Sequence, residues 1–155
     1  RPDLFSYAAS FSGAVDVAHS EVRLVTAQQT AANGFPTSGP FGTYGGADST
    51  WDRYNPVNRV ADLAEVNVNL YTGPGFNFLD LIERRMALSA QLLHERLDAA
   101  GIDHFYWNYG TNPGGSVFAC DGGHNFGCWN FALHHAMPGM ADHFVRGLLA
   151  SGAAR

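Results

Sequence analysis

Residues 5–11, Phe-Ser-Tyr-Ala-Ala-Ser-Phe, are apolar or small throughout, the pattern of a strand buried on both faces, and Ser12-Gly13 interrupts it. A short helix is expected over residues 22–32. After it, residues 33–58 gather Gly34, Pro36, Gly39, Pro40, Gly42, Gly45 and Gly46 into a long loop, a length that usually carries function. A second strand, residues 66–71, stops at Thr72-Gly73-Pro74-Gly75. Leu79, Ile82, Met86, Leu93 and Leu97 then recur at helical spacing, with Glu83, Arg84, Arg85, Glu95 and Arg96 between them and Gly101 as the stop. A third, aromatic-rich strand follows at residues 104–109. A Gly-rich loop holding Cys120, His124 and Cys128 leads to a last helical region, where Pro138 is expected to open a second helix running to Leu149. Strands alternating with helices predict an α/β fold: one part of an open, mostly parallel sheet flanked by helices.

Composition narrows the class. The 155 residues suffice for a single domain, with 46% hydrophobic and only 15% charged positions. Every basic residue is Arg, and the net charge of −5 argues against non-specific nucleic-acid binding. No apolar run reaches the roughly 18 residues of a membrane span, so no transmembrane segment is expected. Cys120 and Cys128 form an even pair close in sequence, which fits a short disulfide in an oxidising compartment; two reduced thiols are the alternative.

In parallel sheets functional groups gather beyond the carboxyl ends of the strands. Asp80 and Glu83 follow the second strand, and His124 follows the third. An acid after a late strand and a His after the last is the chain order of the α/β-hydrolases, whose Ser comes earlier. The acid would orient the imidazole, and the imidazole would shuttle a proton to and from a serine oxygen. No Gly-x-Ser-x-Gly occurs, and Ser6, Ser10 and Ser12 lack the glycines of a nucleophile elbow, so they read as structural. Competing readings stand beside this one. Cys120, His124 and Cys128, with His134 and His135, could form a thiolate and imidazole metal site, although the spacing is not a common zinc pattern. Glu83 could be a solvated residue paired with Arg84 or Arg85. His19, His94, His104 and His143 show no partner spacing and read as surface or helix-face residues. Phe105, Tyr106, Trp107 and Tyr109 read as core and sheet-edge packing.

Three segments carry a family resemblance. Arg1-Pro2-Asp3-Leu4-Phe5-Ser6-Tyr7-Ala8-Ala9-Ser10-Phe11-Ser12-Gly13 resembles the stretch after the nucleophile helix in the secreted mycolyltransferases, the fibronectin-binding antigen family, and their esterase-D-like relatives. Trp51-Asp52-Arg53-Tyr54-Asn55-Pro56 and the strand after it resemble that family's Trp-x-x-x-Asp-Pro segment. Gly122-Gly123-His124-Asn125-Phe126-Gly127-Cys128-Trp129 is similar to the Gly-Thr-His-Ser-Trp-x-x-Trp around its catalytic His.

The resemblance implies that residues 1–155 are the C-terminal portion of one α/β-hydrolase domain, with residues 33–58 as a lid-like loop. His124 would be the catalytic His and Glu83 the acid, with Asp80 the runner-up. Phe126, Asn125 and Trp51 would line the substrate site. The nucleophilic Ser and both oxyanion-hole donors would lie before Arg1, in a companion chain or an N-terminal half that completes the sheet. The implied activity is a serine esterase or acyltransferase, secreted or envelope-associated. It would pass a lipid acyl group through an acyl-serine to a sugar hydroxyl or to water, with no cofactor and no metal. The alternative is a non-catalytic carbohydrate- or matrix-binding relative of the same fold. The cysteine pair is not in the family pattern; bonded, it would close a ring around His124 worth about 2.6 kcal/mol on the loop-entropy model.

Overall fold

The structure, a computed structural model, describes residues 4–36, 41–47, 49–75, 79–111 and 119–152. Arg1, Pro2 and Asp3 of the first resembling segment, and residues 37–40 and 48 of the long loop, lie outside the described residues. Among the described residues the fold is a small α/β arrangement of three strands, β1 (Tyr7–Phe11), β2 (Asn67–Thr72) and β3 (His104–Asn108), and three α-helices, α1 (Ser20–Ala32), α2 (Leu81–Ala99) and α3 (Phe126–Gly152). The strands form one parallel sheet in the order β1-β2-β3, with Phe11 opposite Tyr71 and Tyr71 opposite Trp107. All three carboxyl ends therefore open at the same edge of the molecule.

Alternation along β2 builds a core on each face. Val68 and Leu70 point to α2 and join Ala90, Leu93, Leu97, Val15 and Val57 in one apolar cluster. Tyr71 points the other way, to a second cluster with Tyr109, Cys120, Cys128, Ala132 and Ala136, which Phe11, Trp107 and Phe131 flank. Cys128, Ala132 and Ala136 recur every fourth residue of α3, so one small-residue stripe brings that helix close to the sheet.

Two elements differ from the sequence reading. The first strand is not buried on both faces: Ala8 is exposed, its neighbours are half-buried, and among the described residues it pairs with β2 alone. The last helical region is one continuous helix through Pro138, beginning at Phe126, so Cys128 belongs to the helix and not to the loop. An internal proline costs a helix about 3 kcal/mol. The packed stripe of Cys128, Ala132 and Ala136 just before it, and contacts of Tyr7 with His143 and Phe144 after it, hold both halves against β1 and β2.

The long loop is pinned to the sheet's α2 side. Buried Asn55 accepts the Val17 N–H at 3.0 Å and donates to Asp16 Oδ1 at 2.8 Å. Trp51 donates its indole N–H to the Gly42 carbonyl at 2.8 Å and packs on Phe41. Arg23 of α1 lies over the Tyr44 ring.

Burial pushes the phenols of Tyr71 and Tyr109 up to about 12 from the ordinary 10.0. The unfolded chain releases these protons at its ordinary value, so the stability tied to them is complete below pH about 10 and is lost as pH rises through about 12. Alkaline titration of phenolate absorbance should therefore resolve a class of tyrosines that ionises near pH 12, coincident with unfolding by circular dichroism. Replacing Tyr71 by Phe should remove part of that late class.

Candidate functional site at the carboxyl edge of the sheet

Three loops converge beyond the carboxyl ends of β1, β2 and β3. After β2 the chain passes Gly73-Pro74-Gly75 and enters α2 at Asp80, whose Oδ1 accepts the Glu83 N–H at 3.1 Å and caps the helix. Glu83 thus sits in the first turn, where the helix dipole favours a negative charge. Its side chain is fully buried. Oε1 accepts the Ser12 hydroxyl at 2.7 Å and the Gly73 N–H at 2.6 Å, and Oε2 lies 2.8 Å from His124 Nδ1.

Ser12 reaches the acid because its backbone leaves β1 in the left-handed region, at φ 53°, while its own N–H still donates to the Tyr71 carbonyl at 2.8 Å. A non-glycine residue there is strained, and the strain is held by buried hydrogen bonds on either side. Gly73 and Gly122 are required by close approach. A Cβ on Gly73 would stand 2.1 Å from the Gly122 carbonyl oxygen, and one on Gly122 would stand 2.7 Å from the Gly110 carbonyl oxygen. Only bare backbone lets the loops after β2 and β3 meet the His124 segment, where the Gly75 N–H donates to the Gly122 carbonyl at 2.9 Å.

His124 is fixed from several sides. Asp80 Oδ2 accepts its backbone N–H at 3.2 Å, and Trp129 packs edge-on against its ring at 4.9 Å. The Cys120–Cys128 disulfide closes a ring of chain around it. Asn125 caps α3 by accepting the Cys128 N–H at 3.1 Å, and it donates to Asp121 Oδ1 at 2.8 Å. A carboxylate accepts only, so His124 Nδ1 carries the proton toward Glu83, and the neutral imidazole keeps its lone pair on Nε2. The His124 side chain retains 28% of its surface exposed, against none for Glu83.

The predicted residues separate cleanly. His124 and Glu83 are brought together. Asp80, the runner-up acid, meets the backbone of both and so positions the pair. Phe126 stands beside Trp129 with 77% of its surface exposed, next to His124, and Asn125 is a helix cap. Trp51 lies in the long loop with 3% exposure, its indole turned to Gly42. The bond between Cys120 and Cys128 removes both thiolates from the metal alternative. The reading of Glu83 as a solvated residue paired with Arg84 or Arg85 does not hold, since its side chain is fully buried and Arg85 pairs with Glu21 of α1. Sequence reasoning missed Ser12 as a donor to the acid; its position directly after a strand and before a glycine was the available signal. Around the pair, the Trp129 indole N–H is buried without a hydrogen-bond partner among the described residues, and the Tyr109 hydroxyl lies near Ser12 without a well-aligned bond. No protein-family model matches the chain, and no curated protein matches it.

Replacing Ser12 by Ala keeps the same cost at φ 53° and removes one donor from a buried carboxylate. Urea denaturation should show a loss of about 1.5–3 kcal/mol, the range for hydrogen bonds to charged groups. Replacing both cysteines by Ser should cost about 2.6 kcal/mol on the loop-entropy model, and the imidazole resonances of His124 should broaden in the variant's NMR spectrum as its loop loosens.

Proposed function

We propose that this chain supplies the acid and the general base of a serine esterase or acyltransferase of α/β-hydrolase architecture, similar to the secreted mycolyltransferases. The observation that carries the proposal is the 2.8 Å contact between the fully buried Glu83 carboxylate and the partly exposed His124 imidazole, at the carboxyl edge of a parallel sheet. That arrangement is what a proton shuttle needs: one nitrogen locked by an anion, the other basic and turned toward a reactant.

In this reading His124 Nε2 takes the proton of a serine hydroxyl as its oxygen attacks an ester carbonyl. The imidazolium so formed, stabilised by Glu83, returns the proton to the departing alcohol as the acyl-serine forms. A sugar hydroxyl or water then enters by the reverse steps, giving up its proton to the same nitrogen while serine recovers its own. Ser12 is not that nucleophile, because its hydroxyl is buried and donates to Glu83. The nucleophile and oxyanion donors would come from an N-terminal portion or companion chain that adds strands to the sheet. The outer edge of β1, unpaired among the described residues, is the side such strands would join, since an open apolar edge is a liability when left uncovered. Two further features support the reading. A groove of about 450 Å³ between α1 and the first turns of α2, lined by Leu24, Val25, Ile82, Met86 and Leu88 together with the charged Glu21, Arg84 and Arg85, is roomy enough for part of an acyl chain. The disulfide suits an oxidising, extracytoplasmic location.

The test uses the chain together with whichever N-terminal portion or companion chain supplies the serine, and a p-nitrophenyl ester. His124→Ala should lower kcat/KM by about a thousandfold or more, and Glu83→Gln by about a hundredfold or more, with KM little changed. An intact protein that hydrolyses no ester, or hydrolyses it equally well without His124, overturns the proposal; sugar binding without hydrolysis would favour the non-catalytic alternative.

A further inference from the structure

At the opposite end of the sheet, α2 and β3 bring together a second cluster of titratable side chains. His94 and Asp98 stand four residues apart on one face of the last turns of α2. After Ala100 and Gly101 reverse the chain, His104 opens β3 and faces them. His94 Nδ1 lies 2.7 Å from His104 Nε2, and His94 Nε2 lies 3.5 Å from Asp98 Oδ2. One donor atom from each of the three residues falls within 4.8 Å of the others.

From this geometry we propose that His94, Asp98 and His104 form a binding site for a divalent transition metal of the zinc, cobalt or nickel kind. The protonation of His104 is already arranged for it. Its Nδ1 donates to the Ile102 carbonyl at 2.8 Å, so its Nε2 bears the lone pair and is aimed at His94. Tyr106 stacks on the His94 ring at 4.5 Å and 18°, which fixes that imidazole's plane. The side chains of His94 and Asp98 are 31% and 62% exposed, so an ion can reach them from solvent. The end of α2 carries the negative pole of the helix dipole, which favours a cation at that place.

Two imidazoles and a carboxylate are a donor set for borderline metals, with a fourth tetrahedral position left to water. Entry of the ion requires the proton between the rings to move from Nδ1 to Nε2 of His94, leaving two facing lone pairs, and the exposed Asp98 carboxylate, 3.5 Å from that Nε2, to turn an oxygen toward the ion. Nitrogens bound to one tetrahedral zinc at about 2.0–2.1 Å stand about 3.3 Å apart, so the rings must part by about half an ångström. The bound ion would tie the end of α2 to β3, the outer strand of the sheet among the described residues, far from the Glu83–His124 pair and independent of its chemistry.

The test is titration of the metal-stripped protein with zinc and cobalt. One equivalent should bind, cobalt should give the visible absorption of a tetrahedral site, and free zinc at a hundred times Kd should raise Tm by about 5–10 °C. His94→Gln and His104→Gln should abolish all three responses, Asp98→Asn should weaken binding at least tenfold, and His134→Gln should change nothing. Imidazole nitrogen spectra of the unsubstituted protein provide a readout that needs no variant: zinc should shift the rings of His94 and His104. Absence of saturable binding at millimolar zinc, equal binding by the His94 and His104 variants, or shifts confined to other histidines would overturn the proposal.

Discussion

The buried carboxylate of Glu83 is the constraint from which the carboxyl edge of this fold follows. An ionised carboxylate removed from water costs several kcal/mol unless donors replace the lost solvent. Here the donors come from three separate segments: Ser12 after β1, Gly73 after β2 and His124 before α3. Each contact is of the strong, charge-assisted kind, and together they knit the ends of the sheet to one helix turn. The demands on the backbone descend from this. Ser12 must take a left-handed conformation to turn its hydroxyl inward, and Gly73 and Gly122 must lack a Cβ for the loops to approach. The acid in the first turn of α2 is both the organiser of the loops and the group that fixes the imidazole's tautomer.

The same economy explains why the His124 segment needs external restraint. Its described residues 119–125 include two glycines and few bulky side chains, so their order derives from covalent and polar ties: the disulfide, the Asp80 carboxylate on the backbone, and the Asn125 cap of α3. Cys128 serves two ends, since it also heads the small-residue stripe by which α3 packs on Tyr71 and Tyr109. Loop order and helix docking are therefore coupled through one residue.

How much of this was legible in the sequence depended on whether the signal was local. The periodicity of Leu93 and Leu97, the stop at Gly101 and the Thr72-Gly73-Pro74-Gly75 stop after residues 66–71 are local, and they marked α2 and β2 within a residue or two. His124 and the acids Asp80 and Glu83 could be named because each follows a strand end, a position that parallel sheets use for chemistry, while the preference for Glu83 over Asp80 came from the family resemblance. What escaped was set by tertiary packing. Pro138 reads as a helix start, and nothing in its neighbours announces that packing before and after it would carry one helix through. The run from Phe5 to Phe11 reads as doubly buried because apolar composition does not distinguish an interior strand from an uncovered edge. His94 and His104 looked unrelated because ten residues and a chain reversal separate them; their meeting is a property of the turn at Gly101.

Helix α2 joins these observations. Its first turn holds the buried acid and its last turns hold His94 and Asp98, so the positive pole of its dipole faces the carboxylate and the negative pole faces the imidazole cluster. Between them, Met86, Ala90, Leu93 and Leu97 lie buried along the helix and seat it on β2 and β3. The helix is thereby oriented by its charges and held by its apolar stripe. A shift of α2 along its axis would disturb both ends together. Any displacement of Glu83 stretches contacts of 2.6–2.8 Å to three segments at once, whereas His94 and the exposed Asp98 can adjust. The rigid end is the one that meets three loops, and the adaptable end is the one open to solvent.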